Sequence, residues 1–171
     1  LSKEAAQNCI VCTAPSKTFN LAGLQTSNIF IPNEERRREF CGEFAKTAVG
    51  GVGILGLKAC EIAYTECDDW LRQLCKLLLE NHELVKSFMA ENLPQIHVFP
   101  LEGTYLQWMD FRGLGMDYRH LESFMQQKAE WFLDEGYVFG KEGRGFERLN
   151  LACPTSVLQD ALERLKRALK P

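Results

Sequence analysis

The sequence predicts a mixed helix and sheet protein, α/β or α+β, in which helices cover a small sheet. Three observations carry that prediction. Short apolar runs of strand length alternate with segments of helical periodicity, and no segment repeats another. The 171 residues are 46% hydrophobic and 11% aromatic, enough to bury a core in one ordinary domain or slightly more. Thirteen Gly and six Pro are close to average usage and 25% of residues are charged, which excludes collagen-like, low-complexity and globally disordered chains.

The elements follow in order. Residues 8–13 form a β-like run stopped by Ala14-Pro15, and Cys9-Ile10-Val11-Cys12 within it reads as a short buried strand. A loop over 16–20 leads to a second apolar run over 28–31, stopped by Pro32-Asn33. Asn33 suits a helix N-cap, with Glu34 and Glu35 placed where the positive end of the helix favours them. Phe40, Phe44 and Ala48 recur at helical spacing until Gly50-Gly51-Val52-Gly53 breaks the pattern, and another helix is expected over about 55–64. Asp68 or Asp69 then caps the clearest helix, whose apolar positions are Leu71, Leu74, Cys75, Leu78, Val85, Phe88 and Met89. It ends before Pro94, about 24 residues and about 36 Å on.

Beyond it, 96–99 and 104–110 read as strands joined by Pro100-Leu101-Glu102-Gly103. Asp117 opens a helix with Leu121, Phe124 and Met125 on one face, which periodicity alone carries to Leu133. Residues 137–139 and 146–151 are further strand candidates around a turn at 140–145. Thr155 or Ser156 caps a last amphipathic helix bearing Leu158, Ala161, Leu162, Leu165 and Leu169.

Charge and composition exclude several functions. A net charge of −3 gives no electrostatic footprint for nucleic acid or an anionic membrane. Arg36-Arg37-Arg38 sits between Glu34-Glu35 and Glu39 and reads as a solvated helix face. No apolar stretch approaches the roughly 18 residues of a membrane span. The start, Leu1-Ser2-Lys3-Glu4-Ala5, lacks Met and a signal-peptide layout, so a piece of a longer cytoplasmic chain is expected. Seven cysteines, at 9, 12, 41, 60, 67, 75 and 153, stand in apolar contexts and read as buried free thiols in a reducing compartment. Cys9 and Cys12 have zinc or redox spacing, but no second pair completes a site, and His82, His97 and His120 are isolated. No metal site is expected.

The chemistry points to Ala14-Pro15-Ser16-Lys17-Thr18-Phe19-Asn20-Leu21-Ala22-Gly23. An apolar strand delivers a lone lysine into a loop of hydroxyls and small residues, where desolvation would make it a nucleophile or base toward a carbonyl. This decamer resembles the pyridoxal-phosphate lysine motif of the MalY/PatB-type carbon–sulfur β-lyases, the cystathionine β-lyases of the fold-type I (class I/II) aminotransferase superfamily. Thr104-Tyr105-Leu106-Gln107-Trp108-Met109-Asp110 is similar to the family's small-domain strand. Gly136-Tyr137-Val138-Phe139-Gly140-Lys141-Glu142-Gly143-Arg144-Gly145-Phe146-Glu147-Arg148-Leu149-Asn150 is similar to the segment that ends in its substrate-binding arginine. Order and spacing agree from about Asn8 onward.

The resemblance implies a catalytic Lys17 that bonds pyridoxal 5'-phosphate and takes the substrate's Cα proton. It implies that Arg148 holds the substrate carboxylate by a two-point guanidinium pairing. Thr13 and Ser16 are candidate phosphate hydroxyls. Here the chain departs from aspartate-aminotransferase relatives, which carry Ser three residues before the lysine and Arg eight after it; Ala14 and Gln25 stand at those places. Tyr105, Trp108 and Trp131 are expected in the small-domain core. The resemblance also stops the helix from Asp117 around Lys128 and makes 131–133 a strand leading to Gly136.

By the same resemblance, 1–67 is the end of a cofactor-binding large domain, 68–93 a connecting helix, and 94–171 a C-terminal small domain. The expected partners are an amino-acid substrate and, for the full-length protein, a second copy of itself. The family's pyridinium-binding Asp, stacking ring and most phosphate contacts lie upstream of Lys17, beyond the sixteen residues supplied here, so these 171 residues alone are expected not to catalyse. A β-lyase parent is favoured by the Ser-Lys-Thr-Phe-Asn-Leu-Ala-Gly wording. An aminotransferase and a MalY-like regulatory, protein-binding role are the alternatives.

Overall fold

Residues 2–47 and 50–170 are described by the structure, a computed structural model. Two compact units divide the chain, Leu1–Gln73 and Leu74–Pro171.

The first unit begins with a helix that the apolar pattern did not signal, α1 (Lys3–Gln7), capped by the Ser2 hydroxyl, which accepts from the Ala5 amide at 3.1 Å. Asn8 closes α1, which shortens the expected strand to β1 (Val11–Thr13). This strand pairs antiparallel with β2 (Asn28–Phe30), Val11 against Phe30 and Thr13 against Asn28. The predicted burial of 9–12 is not found. Ile10, Val11 and Cys12 are exposed, because this ribbon has two strands and the helix over residues 54–66 meets it at the Thr13 and Asn28 end.

α2 (Glu34–Lys46) starts as expected, the Asn33 side chain accepting from the Arg36 amide at 3.1 Å. Phe40 and Phe44 share a face and stack with centroids 6.0 Å apart; Ala48 lies outside the described residues. α3 (Ile54–Glu66) is longer than predicted at both ends and buries only small residues, Gly56, Cys60 and Ala63. That stripe lets the loop before β2 approach closely: a Cβ on Gly56 would lie 2.2 Å from Thr26 Oγ1 and 2.9 Å from the Leu24 carbonyl oxygen.

α4 (Asp68–Asn92) holds the expected helix. Asp68 and Asp69 are inside its first turn rather than at the cap, since the Cys67 carbonyl accepts the Leu71 amide. They act there through the helix dipole. Cysteine burial is also corrected: Cys60 is buried, Cys12, Cys41 and Cys75 are exposed, and the other three are half-buried. The exposed three lie on the two-stranded ribbon and on solvent-facing sides of α2 and α4.

The second unit is a four-stranded antiparallel sheet covered on one face by helices. The strands are β3 (His97–Val98), β4 (Leu106–Asp110), β5 (Asp134–Glu135) and β6 (Phe146–Asn150), in the order β3-β4-β6-β5. α4, α5 (Tyr118–Phe124) and α6 (Thr155–Leu169) supply Leu78, Val85, Met89, Leu121, Leu158, Leu162 and Leu165 to one core with Met109 and Leu149 of the sheet. Each fully buried Leu contributes roughly 1.5–3 kcal/mol of apolar burial.

Two buried polar side chains on α4 join it to the rest of the unit. Asn81 donates to the Leu151 and Cys153 carbonyls at 2.9 and 3.1 Å and accepts from Thr155 Oγ1 at 2.8 Å. Thr155 therefore does not cap α6; Pro154 occupies the N-cap position without a side-chain bond. Gln107 donates to the Phe99 and Trp108 carbonyls, so its oxygen faces His82 Nδ1 at 2.6 Å. Since that oxygen only accepts, His82 carries its proton on Nδ1.

α5 is capped by Asp117, which accepts from the Arg119 and His120 amides. It widens into a π-helical turn over Met125–Ala129 and stops at Glu130, whose φ is +55°. The resemblance placed this end within a residue or so. It misplaced the strand: Trp131 is buried, its indole donating to the Ala161 carbonyl at 2.7 Å, so the chain reaches the sheet edge only at Asp134. Residues 137–139 are not a strand either. They form a 3-10 turn, Gly136–Phe139, that folds back until the Gly136 and Gly143 backbones touch; a Cβ on Gly136 would sit 2.1 Å from the Gly143 carbonyl oxygen.

Strand register decides what faces the core. On the helix-covered face, Met109, Glu147 and Glu135 lie in one cross-strand row. Glu147 is 2% exposed. Burial, reinforced by Glu135, Glu122 and Asp134, pushes its carboxyl up to about 8.

Two outcomes follow. Asn81→Ala leaves two interior carbonyls and a hydroxyl without their partner, and should lower the unfolding free energy by about 2–4 kcal/mol in urea titrations. Glu147 is protonated in both states at low pH; as pH rises from about 4.5 to about 8 only the unfolded chain ionises, so stability falls across that window and then levels. Glu147→Gln should therefore raise the melting midpoint by roughly 5 °C at pH 9, a gain that vanishes toward pH 4.5. An equal gain at both pH values would show that charge is not its cause.

Candidate functional site

β1 ends at Thr13, and Pro15, buried, turns the chain. The Pro15 carbonyl accepts the Phe19 amide at 2.9 Å and the Ser16 carbonyl accepts the Leu21 amide at 3.0 Å, closing a tight loop with Asn20 at φ +55°. Phe19 anchors the loop, edge-on to Tyr64 at 5.5 Å and stacked on Trp70 at 5.9 Å. Lys17 stands on this loop, exposed, and makes no hydrogen bond or ion pair among the described residues. The strand-to-loop delivery is as predicted, whereas the expected desolvation is absent because the apolar residues of the loop turn inward. Ser16 is half-buried on the same turn, and Thr13 is exposed at the strand end, bordering a shallow depression with Tyr64 and Thr65. Gln25 has a left-handed backbone with φ +50°.

Arg148 belongs to the second unit. It lies on β6 with Trp108 of β4 and Asp134 of β5 as its direct cross-strand neighbours, on the sheet face opposite the core. Its Nε and Nη2 both donate to Asp134 Oδ2, at 3.0 and 2.7 Å, and its Cζ is 4.4 Å from the centre of the Phe139 ring. The Phe139 ring meets Trp108 edge-on at 5.7 Å, and Trp108 stacks on Phe146 at 5.7 Å. Arg112 covers Phe146 at 4.5 Å and forks onto Asp110, which lowers that carboxyl. Three rings thus separate two arginine–carboxylate pairs.

Trp131 is in the core and Tyr105 half-buried against it, as expected. Trp108 is not: alternation along β4 turns Gln107 and Met109 inward and Trp108 outward beside Arg148. Reading β4 at period two would have separated them. Asp134 was missed altogether, since its link to Arg148 runs across strands. Nearby, Tyr137 donates to Glu122 at 3.2 Å, and burial together with that carboxylate raises its phenol. Among the described residues no group of three His, Cys, Asp or Glu side chains is arranged to hold a metal, and no helix is long and apolar enough to cross a membrane.

No family model matches the sequence. Known proteins do. The chain is 36% identical over 169 residues to the cystathionine β-lyase PatB of Bacillus subtilis, covering 99% of this chain and 44% of PatB. Protein MalY of Escherichia coli is 29% identical over 170 residues, with the same 99% and 44% coverage. Among solved structures, cystalysin from Treponema denticola, which contains a pyridoxal 5'-phosphate cofactor, superposes with a TM-score of 0.93 and 49% identity over 98% of this chain and 43% of that one. The chain spans less than half the length of these relatives. In sequence and in fold it is similar, over nearly its whole length, to the C-terminal part of the MalY/PatB-type carbon–sulfur β-lyases, within the fold-type I aminotransferase superfamily.

Proposed function

We propose that this chain is the C-terminal portion of a pyridoxal-phosphate-dependent lyase that cleaves the carbon–sulfur bond of cystathionine or related cysteine S-conjugates, giving a thiol, pyruvate and ammonia. The supporting observation is Lys17 itself: a primary amine held on a short loop, exposed and free of any ion pair among the described residues. Such an amine suits the aldehyde of the cofactor, and the flanking Ser16 and Thr13 hydroxyls suit its phosphate. The cofactor supplies an electron sink for charge developing at the substrate Cα.

Lys17 then acts as the base that removes the Cα proton and returns it. Arg148 holds the substrate carboxylate with the guanidinium edge that Asp134 leaves free, a planar two-point recognition that lysine does not reproduce. In this reading residues 1–67 close a cofactor-binding large domain, 68–93 connect, and 94–171 form the small domain. The full-length enzyme is a homodimer of the cytoplasm, and the 171 residues alone are inactive because the ring nitrogen and stacking contacts come from elsewhere.

The test is chemical labelling. Pyridoxal phosphate mixed with the chain and reduced with borohydride should mark Lys17 ahead of the other exposed lysines by peptide mapping, and Lys17→Ala should lose most of the label. Even labelling of Lys17, Lys76 and Lys141 would sink the assignment. Cystathionine with excess cofactor should give no pyruvate or thiol above background from this chain; turnover would show that the active site is built differently.

A further inference from the structure

We infer that Asp134 is a positioning residue that fixes the Arg148 guanidinium for end-on recognition of a planar carboxylate. The inference rests on the reading of Arg148 as the carboxylate holder and adds to it the group that orients the arginine.

The geometry is specific. A single oxygen, Asp134 Oδ2, accepts from Nε and from Nη2 of Arg148, so one edge of the fork is occupied and the outermost side-chain torsions are fixed. The Phe139 ring, its centre 4.4 Å from Cζ, lies against the group on one side. A guanidinium has five N–H donors, and two are taken. What remains is the Nη1/Nη2 end, whose parallel N–H bonds match both oxygens of a carboxylate and offer a spherical anion no such match.

Stability does not explain the pair. Asp134 is 52% exposed and Arg148 30%, and an ion pair this open contributes little to folding. Nor does charge complementarity, since Asp134 neutralises the arginine meant to attract an anion. Orientation is the contribution left. Its cross-strand placement supports this: Asp134 is held directly opposite Arg148 by the pairing of β5 with β6, so the carboxylate arrives with the sheet register.

The experiment follows the Arg148 Nε–H signal in nitrogen-15 spectra of the chain, assigned by its loss in Arg148→Lys, while sodium formate or sodium chloride is titrated in. The native chain should prefer formate over chloride. Asp134→Ala should reduce that preference about fivefold, the loss expected when one of two parallel bonds is misaligned. Asp134→Asn, which keeps an oxygen acceptor, should retain most of it, with the β6 backbone amides unmoved in both variants. An unchanged formate-to-chloride ratio in Asp134→Ala overturns the positioning role and leaves Arg148 as the carboxylate holder. No formate preference in the native chain overturns the reading of Arg148, and this inference with it.

Discussion

Everything specific about the second unit depends on how β6 is registered between β4 and β5. Side chains on a strand alternate between faces, so a slip of one residue would exchange the two rows. In the observed register Trp108, Arg148 and Asp134 share the outer face, and Met109, Glu147 and Glu135 share the inner one. The slipped sheet would bury an arginine and expose a carboxyl that the interior holds neutral. The observed one accepts a single raised carboxyl in return for a supported guanidinium. Arg148 and the least comfortable residue of the core, Glu147, are adjacent on one strand, and neither placement is possible without the other.

The remaining polar groups of the core serve the same register. Gln107 precedes Trp108 on β4, and its bonds to two backbone carbonyls and to His82 hold that strand against α4. Asn81, one residue earlier on the helix, holds the chain just after β6 through the Leu151 and Cys153 carbonyls. Consecutive residues of one helix thus fix both central strands from the buried side. Apolar packing alone, which is not directional, would leave that alignment less determined.

What the sequence made legible was local. Helix caps at Asn33 and Asp117, the long amphipathic run of α4 and the leucines of α6 are each written within a few residues, and each is found. The family resemblance reached further and identified the class of fold. Long-range effects were not legible. Residues 137–139 have strand composition, but two glycines in contact turn them into a bend. Residues 9–12 read like a buried strand, but their two-stranded ribbon leaves Ile10, Val11 and Cys12 exposed. Thr155 looks like a cap, yet its hydroxyl is taken by Asn81, 74 residues away in sequence. Of the candidate residues, Lys17 in the first unit and Arg148 in the second came from motifs, while Asp134 and Trp108 came only from strand pairing.

The contact between Gly136 and Gly143 closes the segment between them at its base, and Phe139, the ring beneath Arg148, is carried on that closed segment. Backbone at the base holds the segment to the sheet, and the Phe139 ring adds side-chain contacts with Trp108 and Arg148. The length of the segment is therefore constrained by backbone, and its tip by side chains. Because backbone alone closes the base, a change at position 139 would alter the surface beside the Arg148 guanidinium while leaving the strand that carries the arginine in place.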